Sequence, residues 1–375
     1  MSPKKIYILG SAFPFRGGLS AFNERLAKQF QDEGHEVKIL TFSLQYPEIL
    51  FPGKTQYSSG ESPKDLKIER CVNSVSPLNW LKIGKKIQKE KPDLLIFKYW
   101  LPFMAPCFGT IARLVKRNNH TKIATIVDNM IPHEKRFFDT WFSKYFVKPI
   151  DAFIVMSQSV KNDVQKFSQK PCILTPHPMF DNFGTSISRE KALQHMNLSN
   201  EFRYLLYFGF IRRYKGLDLL LEAFADERLK KIPVKLIVSG EFYEDSKPYF
   251  DIIEKHNLHD RIILKTDFVP DDEVANYFCC ADLITLPYRD ATQSGVTQIA
   301  YYFEKPMLVT NVGGLPEIVP NGKSGYTVEP NSQAIADALV DFFDNKNPDF
   351  FTQTLREERK RFEWSELTRA IENLL

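Results

Sequence analysis

The run Tyr204-Leu205-Leu206-Tyr207-Phe208-Gly209-Phe210-Ile211-Arg212-Arg213-Tyr214-Lys215-Gly216, followed by Leu217-Asp218-Leu219-Leu220-Leu221-Glu222-Ala223-Phe224, decides how this chain is read. Its first residues form a short apolar block suited to a buried strand, and the leucines after Gly216 recur at helical spacing. A glycine turn joins the two. In an open α/β sheet the ligand lies outside the carboxyl ends of the strands, which is where such a turn sits. Arg212 and Lys215 place two cations in this turn, beside a helix N-terminus whose unsatisfied N–H groups already favour an anion. From this stretch alone, a phosphate-bearing ligand and a solvated basic loop both stand open.

Downstream, apolar blocks recur at 234–239, 261–264, 283–287 and 307–310, each followed by a turn and a helical pattern. Alternation of this kind predicts a parallel sheet covered on both faces. The turns hold Gly240-Glu241, then Tyr288-Arg289-Asp290-Ala291-Thr292-Gln293-Ser294-Gly295-Val296, then Asn311-Val312-Gly313-Gly314-Leu315-Pro316-Glu317. Gln298 falls one turn into the helix that follows Ser294, within reach of a sugar hydroxyl, and Glu317 is placed to accept hydrogen bonds. Singly, each of these reads as an ordinary N-cap or turn. Gathered on one edge with Arg212 and Lys215, they point to a nucleoside diphosphate.

Upstream, a first strand at 5–10 leads through a loop to a helix at 19–33, with Gly17 and Gly18 directly before it. Glycines there let the backbone approach an anion, although a tight turn explains them equally. The spaced Gly-x-Gly-x-x-Gly fingerprint is missing, so a dinucleotide is not indicated. Further strands are expected at 36–42, 94–98, 122–127, 152–156 and 172–175. His133 follows the strand that ends at Val127 and has the placement of a reactive group, though a lone histidine there is more often structural. The pattern lapses over 179–199. The expected fold is therefore α/β, with two Rossmann-like doubly wound parallel-sheet domains facing across a cleft: residues 1–180, residues 200–352, and a C-terminal helix at 363–375.

The totals fit this architecture: 375 residues, 43% hydrophobic and 26% charged, with a net charge of +4. Residues 1–178 carry 27 basic and 15 acidic side chains, and the remainder carry 23 and 31. A basic first half suits an anionic partner. The ten residues Lys135, Arg136, Phe137, Phe138, Trp141, Phe142, Lys144, Tyr145, Phe146 and Lys148 mix bases with aromatics, as interfacial helices do. They read either as contact with an anionic membrane or as a helix packed on its own sheet. Five cysteines without paired spacing argue against a disulfide framework, and the N-terminus runs straight into a strand without a signal-peptide core. The expectation is a cytoplasmic protein, free or at the inner face of a membrane, with no nucleic-acid partner.

The motifs Phe208-Gly209-x-Ile211-Arg212-x-Tyr214-Lys215-Gly216-Leu217, Ala281-Asp282, Leu286-Pro287-Tyr288, Gln293-Ser294-Gly295, Lys305-Pro306 and Gly313-Gly314-Leu315-Pro316-Glu317 resemble those of the retaining nucleotide-sugar glycosyltransferases of group 1 (family 4). Gly17-Gly18 and the segment 128–134 extend the resemblance over nearly the whole chain. It implies a GT-B fold: an N-terminal acceptor domain, a C-terminal domain for the nucleotide sugar, and a last helix crossing back onto the first domain. It makes Arg212 and Lys215 the grip on the donor diphosphate and has His133 touch the transferred sugar. Gly17, Gly18, Gly209, Gly240, Glu241, Tyr288, Gln293, Ser294, Gly295, Val296, Gln298 and Glu317 would bind the donor. No metal and no cofactor are implied, the nucleotide sugar being substrate. The acceptor would be a glycan or a lipid-linked glycan, in cell-surface polysaccharide or lipid-linked glycan assembly.

One departure stands out. The family's two glutamates, eight residues apart, fall at Ala291 and Ile299 here. Backbone N–H groups of Gln293 to Val296 and the Gln298 side chain would have to replace them. The alternative is a catalytically lapsed nucleotide-binding partner of another transferase.

Overall fold

The computed structural model describes residues 2–47, 56–57, 62–131, 138–291, 294–345 and 348–374. The chain divides into two units, one of Met1–Pro176 with Trp364–Leu375 and one of His177–Glu363.

The first unit holds seven strands, β1 (Lys5–Leu9), β2 (Glu36–Leu44), β3 (Ile68–Asn73), β4 (Leu94–Tyr99), β5 (Lys122–Val127), β6 (Ala152–Val155) and β7 (Cys172–Leu174). They form one sheet in the order β3-β2-β1-β4-β5-β6-β7, with every neighbouring pair parallel. β4 is buried along its whole length, as expected of a strand covered on both faces. Helices Pro77–Glu90, Ala105–Lys116 and Asp139–Val147 cover one face through Ile83, Ile87, Phe108, Ile111 and Phe146. Helix Gly18–Asp32 covers the other through Phe22, Leu26 and Phe30.

The C-terminal helix Trp364–Glu372 packs on that second face. Its Trp364 ring lies 5.1 Å from Phe22, Leu367 and Ile371 are buried there, and the Thr368 hydroxyl donates to Glu33 Oε1 at 2.7 Å.

The second unit holds β8 (Arg203–Phe208), β9 (Val234–Ser239), β10 (Ile262–Lys265), β11 (Leu283–Leu286), β12 (Met307–Thr310) and β13 (Gly325–Val328). Their order is β10-β9-β8-β11-β12-β13, again all parallel. Both sheets thus reverse their winding once, between β1 and β4 and between β8 and β11. A crevice opens at such switch points because the loops on either side turn to opposite faces.

Two strands were not expected from the sequence. β3 carries Glu69 and Arg70 and slips register against β2 at Thr41, Phe42 and Leu44; β13 has only four residues. Both are edge strands, which need no continuous apolar run. Among the described residues no helix is long and apolar enough to cross a membrane.

Candidate active site

At the end of β8 the backbone turns through Gly209, with φ 99°, whose N–H donates to Ser239 O at 2.9 Å. Gly240, with φ 142°, does the same after β9 by donating to Lys265 O at 2.9 Å. A Cβ on Gly240 would stand 2.2 Å from Gly209 O, so only glycine lets these two turns pass. The pairing continues outward, Ile211 N–H donating to Glu241 O at 2.8 Å and Tyr243 N–H to Ile211 O at 3.1 Å. On the other flank, Gly216 lies against the β11 loop: a Cβ there would meet Pro287 O at 1.9 Å. The Arg289 N–H donates to Tyr214 O at 2.7 Å, and its guanidinium pairs with Asp218. The β8 loop is therefore held on both sides by its neighbours.

Between these loops lies a cavity of about 510 Å3. Its wall comes from four neighbouring strand ends: Gly209, Phe210 and Lys215 after β8, Gly240 and Glu241 after β9, Phe268, Val269 and Asp271 after β10, and Tyr288, Ala291, Ser294, Gly295 and Val296 after β11. Strands in a sheet are about 4.8 Å apart, so β8 to β10 spans about 10 Å, room for the length of a nucleotide.

Lys215 is half-buried. Its Nζ lies 5.6 Å from the Tyr288 ring centroid and faces Gly209, where a Cβ would stand 3.2 Å from it. Burial, and then the Arg212 charge, push its pKa down to about 8. Among the described residues no carboxylate pairs with it. Arg212 itself is exposed and outside the cavity lining, its guanidinium 5.2 Å from the Tyr243 ring. The structure thus sets Lys215 in the cavity wall and leaves Arg212 outside it, near enough for its charge to act on Lys215.

Ser294 caps helix Gly295–Tyr302, its Oγ accepting from Val296 N–H at 3.3 Å and lying 3.1 Å from Tyr288 Oη. Gly295 and Val296, at the start of this helix, line the same cavity as Lys215. Gln298 does not line the cavity: it is buried inside the helix layer, and its Oε1 has no hydrogen-bond partner among the described residues. Ala291 and Ile299, which occupy the two glutamate positions of the resemblance, both line the cavity as apolar wall. Glu317, in the short helix Leu315–Ile318, is exposed and away from the lining. Gln293 and His133 lie outside the described residues.

In the first unit Gly17 and Gly18 are exposed at the start of helix Gly18–Asp32, Gly17 with φ 103°. Nothing in the sequence marks Lys98, a single charge in an apolar strand. It is fully buried at the end of β4 with its Nζ 2.7 Å from Asp128 Oδ1 and 3.7 Å from the centre of the Phe22 ring. The loop after β10 was missed as well; its only signal is its place at a strand's carboxyl end. Among the described residues, no group of three or more His, Cys, Asp or Glu could hold a metal.

The mixed basic and aromatic stretch also resolves. Phe146 is core, stacked on Tyr99 at 4.5 Å, and Tyr145 lies under the Arg113 guanidinium at 3.6 Å. Trp141 is exposed, and Lys135, Arg136 and Phe137 lie outside the described residues.

Sequence comparison matches residues 16–178 to the family described as Glycosyltransferase Family 4 and residues 203–345 to Glycosyl transferases group 1. An uncharacterized glycosyltransferase of Methanocaldococcus jannaschii is 24% identical over 98% of this chain and 96% of its own. Anabaena HepE in complex with UDP and glucose superimposes with a TM-score of 0.66 at 14% identity, over 99% of this chain and 98% of that one. The lipopolysaccharide outer core galactosyltransferase WaaB gives 0.68 at 14%, over 99% and 100%. Two consecutive matches that account for both units, on a GT-B frame, leave one conclusion: this chain is a glycosyltransferase and belongs to the group 1, family 4 glycosyltransferases.

Proposed function

We propose that the enzyme transfers a sugar from a nucleoside diphosphate sugar to an acceptor hydroxyl, with retention at the anomeric carbon, on a cell-surface polysaccharide or lipid-linked glycan. The observation that carries this is Lys215, a half-buried cation with no counterion among the described residues, facing a cavity of nucleotide size beside two glycine turns and a helix N-terminus. The HepE complex with UDP, and the fold shared with an outer core lipopolysaccharide transferase, support the donor and acceptor classes.

In this scheme the bond between the anomeric carbon and the departing phosphate oxygen breaks, and the acceptor oxygen takes its place on the same face. The acceptor proton passes to the leaving phosphate. Negative charge grows on the diphosphate, so preorganised cations and amides there lower the barrier most. Lys215 supplies the cation inside the cavity, Arg212 a second, weaker field from outside it, and the Gly295–Tyr302 helix N-terminus an amide dipole. No metal is required for that stabilisation. Glu241, beside Gly240, lines the cavity where it can accept from ribose or sugar hydroxyls, and the family resemblance would have His133 touch the transferred sugar.

Incubation with UDP-, GDP- and ADP-sugars, followed by diphosphate release and NMR of the anomeric configuration in the product, tests the proposal. An axial donor linkage carried into the product is expected; an inverted linkage, or no turnover with any donor and acceptor, would count against it.

A further inference from the structure

We infer that the helical face of the first unit built by Pro77–Glu90 and Asp139–Val147 is a docking surface for an anionic lipid bilayer. Helices Pro77–Glu90, Ala105–Lys116 and Asp139–Val147 cover the same face of the first sheet. Pro77–Glu90 turns Ile83 and Ile87 inward and leaves Leu78, Leu81, Lys82, Lys85 and Lys89 exposed along one outer stripe. Leu78 is 80% exposed, Leu81 42%, and Val75, just ahead of the helix, 44%. Asp139–Val147 repeats the arrangement at helical spacing, with Trp141 68% exposed and Lys144 and Lys148 exposed behind it.

Among the described residues the exposed charges of these helices are of one sign. Asp139 is buried, and Glu90 is taken up by Tyr7 and, at 3.1 Å, by Lys38. On the middle helix Arg113 is committed to the carbonyls of Gly109 and Tyr145 at 2.7 and 2.6 Å, and Lys116 to Asp151 at 2.8 Å. No acidic side chain of the three helices is exposed, whereas four lysines are.

Direction matters too. Each of these helices returns from the carboxyl edge of a parallel strand, so Val75, Leu78 and Trp141 lie toward that edge, Leu81 and Lys82 come together next, and Lys85, Lys89, Lys144 and Lys148 lie toward the opposite edge. Apolar heads ahead of rows of lysine fit the acyl boundary and the anionic headgroups behind it. A second copy of the chain on a two-fold axis would instead set lysine against lysine. A bilayer on this face would present a lipid-linked acceptor at the sheet edge where Gly17 and Gly18 lie. The inference does not depend on the donor reading above.

Sedimentation of the full chain with phosphatidylcholine vesicles, with and without phosphatidylglycerol, tests it. Wild type should partition onto the anionic vesicles only, and high salt should release it. Each lysine near an anionic surface contributes on the order of fivefold, so Lys82→Glu, Lys85→Glu and Lys89→Glu together should lower partitioning by about a hundredfold. Leu78→Asp with Leu81→Asp should abolish it, with the thermal midpoint and UDP affinity held at wild-type values. Should the leucine variant misfold, Trp141→Ser on the other helix serves in its place and should weaken partitioning severalfold. Failure of wild type to partition at low salt would overturn the proposal, as would equal binding to neutral vesicles, charge-reversed protein that still binds, or a dimer without vesicle binding that the leucine change dissolves. Loss of a protein complex in place of lipid binding would overturn it equally.

Discussion

Lys98 and Lys215 stand near the switch points of two sheets with the same winding, and their surroundings differ in one respect. Lys98 is 2% exposed and has a carboxylate, Asp128, at 2.7 Å, with the Phe22 ring over it. Lys215 keeps enough solvent contact to line a cavity, pairs with no carboxylate among the described residues, and has its pKa pushed down to about 8. Burial pushes the Lys98 pKa down as well, but there the Asp128 carboxylate pulls against it. An unpaired buried ion carries a desolvation cost that folding does not relieve and that a bound anion would. The contrast gives the lysine at the first switch point a structural partner and, on the proposed function, leaves the lysine at the second for the ligand.

Changes at the two lysines should therefore separate stability from function. The largest effect is expected for Asp128→Asn, which leaves Lys98 buried without its counter-charge and should cost about 3 to 5 kcal/mol of stability in a urea titration. Lys215→Ala should leave stability intact or raised while lowering kcat by about 2 to 4 kcal/mol, the scale of one electrostatic stabiliser, as read from diphosphate release. If both variants lose stability alike, the contrast fails.

The pH dependence sharpens it. Because the folded-state pKa of Lys215 is depressed to about 8, the unfolded chain holds more protons between about pH 8 and the ordinary lysine value. This group's contribution to stability therefore rises with pH across that window. Diphosphate affinity moves the opposite way, falling by up to about tenfold per unit once the lysine is neutral, the limit for one proton. Calorimetric titration of UDP from pH 7 to 9.5 should show the fall in wild type and its absence in Lys215→Arg, whose charge persists.

The smallest effect is expected at Arg212, which is exposed and lies outside the cavity lining. Arg212→Ala should cost about 1 kcal/mol in donor affinity and less in high salt, since an exposed charge is screened. A loss as large as that of Lys215→Ala would mean that the loop rearranges to bring both cations onto the ligand.

Much of the fold was legible in the sequence, and the physical reason is burial. β5, β9 and β12 match the expected 122–127, 234–239 and 307–310 because central parallel strands must be apolar throughout. β3 and β13 escaped because an edge strand tolerates Glu69 and Arg70, or can stop at four residues. At the site, Gly209, Gly240 and Gly216 were visible because backbone crossings accept only glycine. Side-chain direction was not visible. Arg212 and Lys215 are three residues apart, but Arg212 precedes the 3₁₀ turn Arg213–Lys215 in extended conformation and so points elsewhere. Gln298, one turn into its helix, faces the helix layer and not the cavity. Phe268, Val269 and Asp271 carry neither a glycine nor a basic residue to mark them, and only the strand order brings them to the cavity.

Binding of UDP, GDP and ADP, each beside its nucleoside, to wild type and to Lys215→Ala tests the central claim most directly. At least one diphosphate should bind far more tightly than its nucleoside, and the alanine variant should lose most of that difference while still binding the nucleoside. Equal affinity for nucleoside and diphosphate, or a difference untouched by removing Lys215, would contradict it.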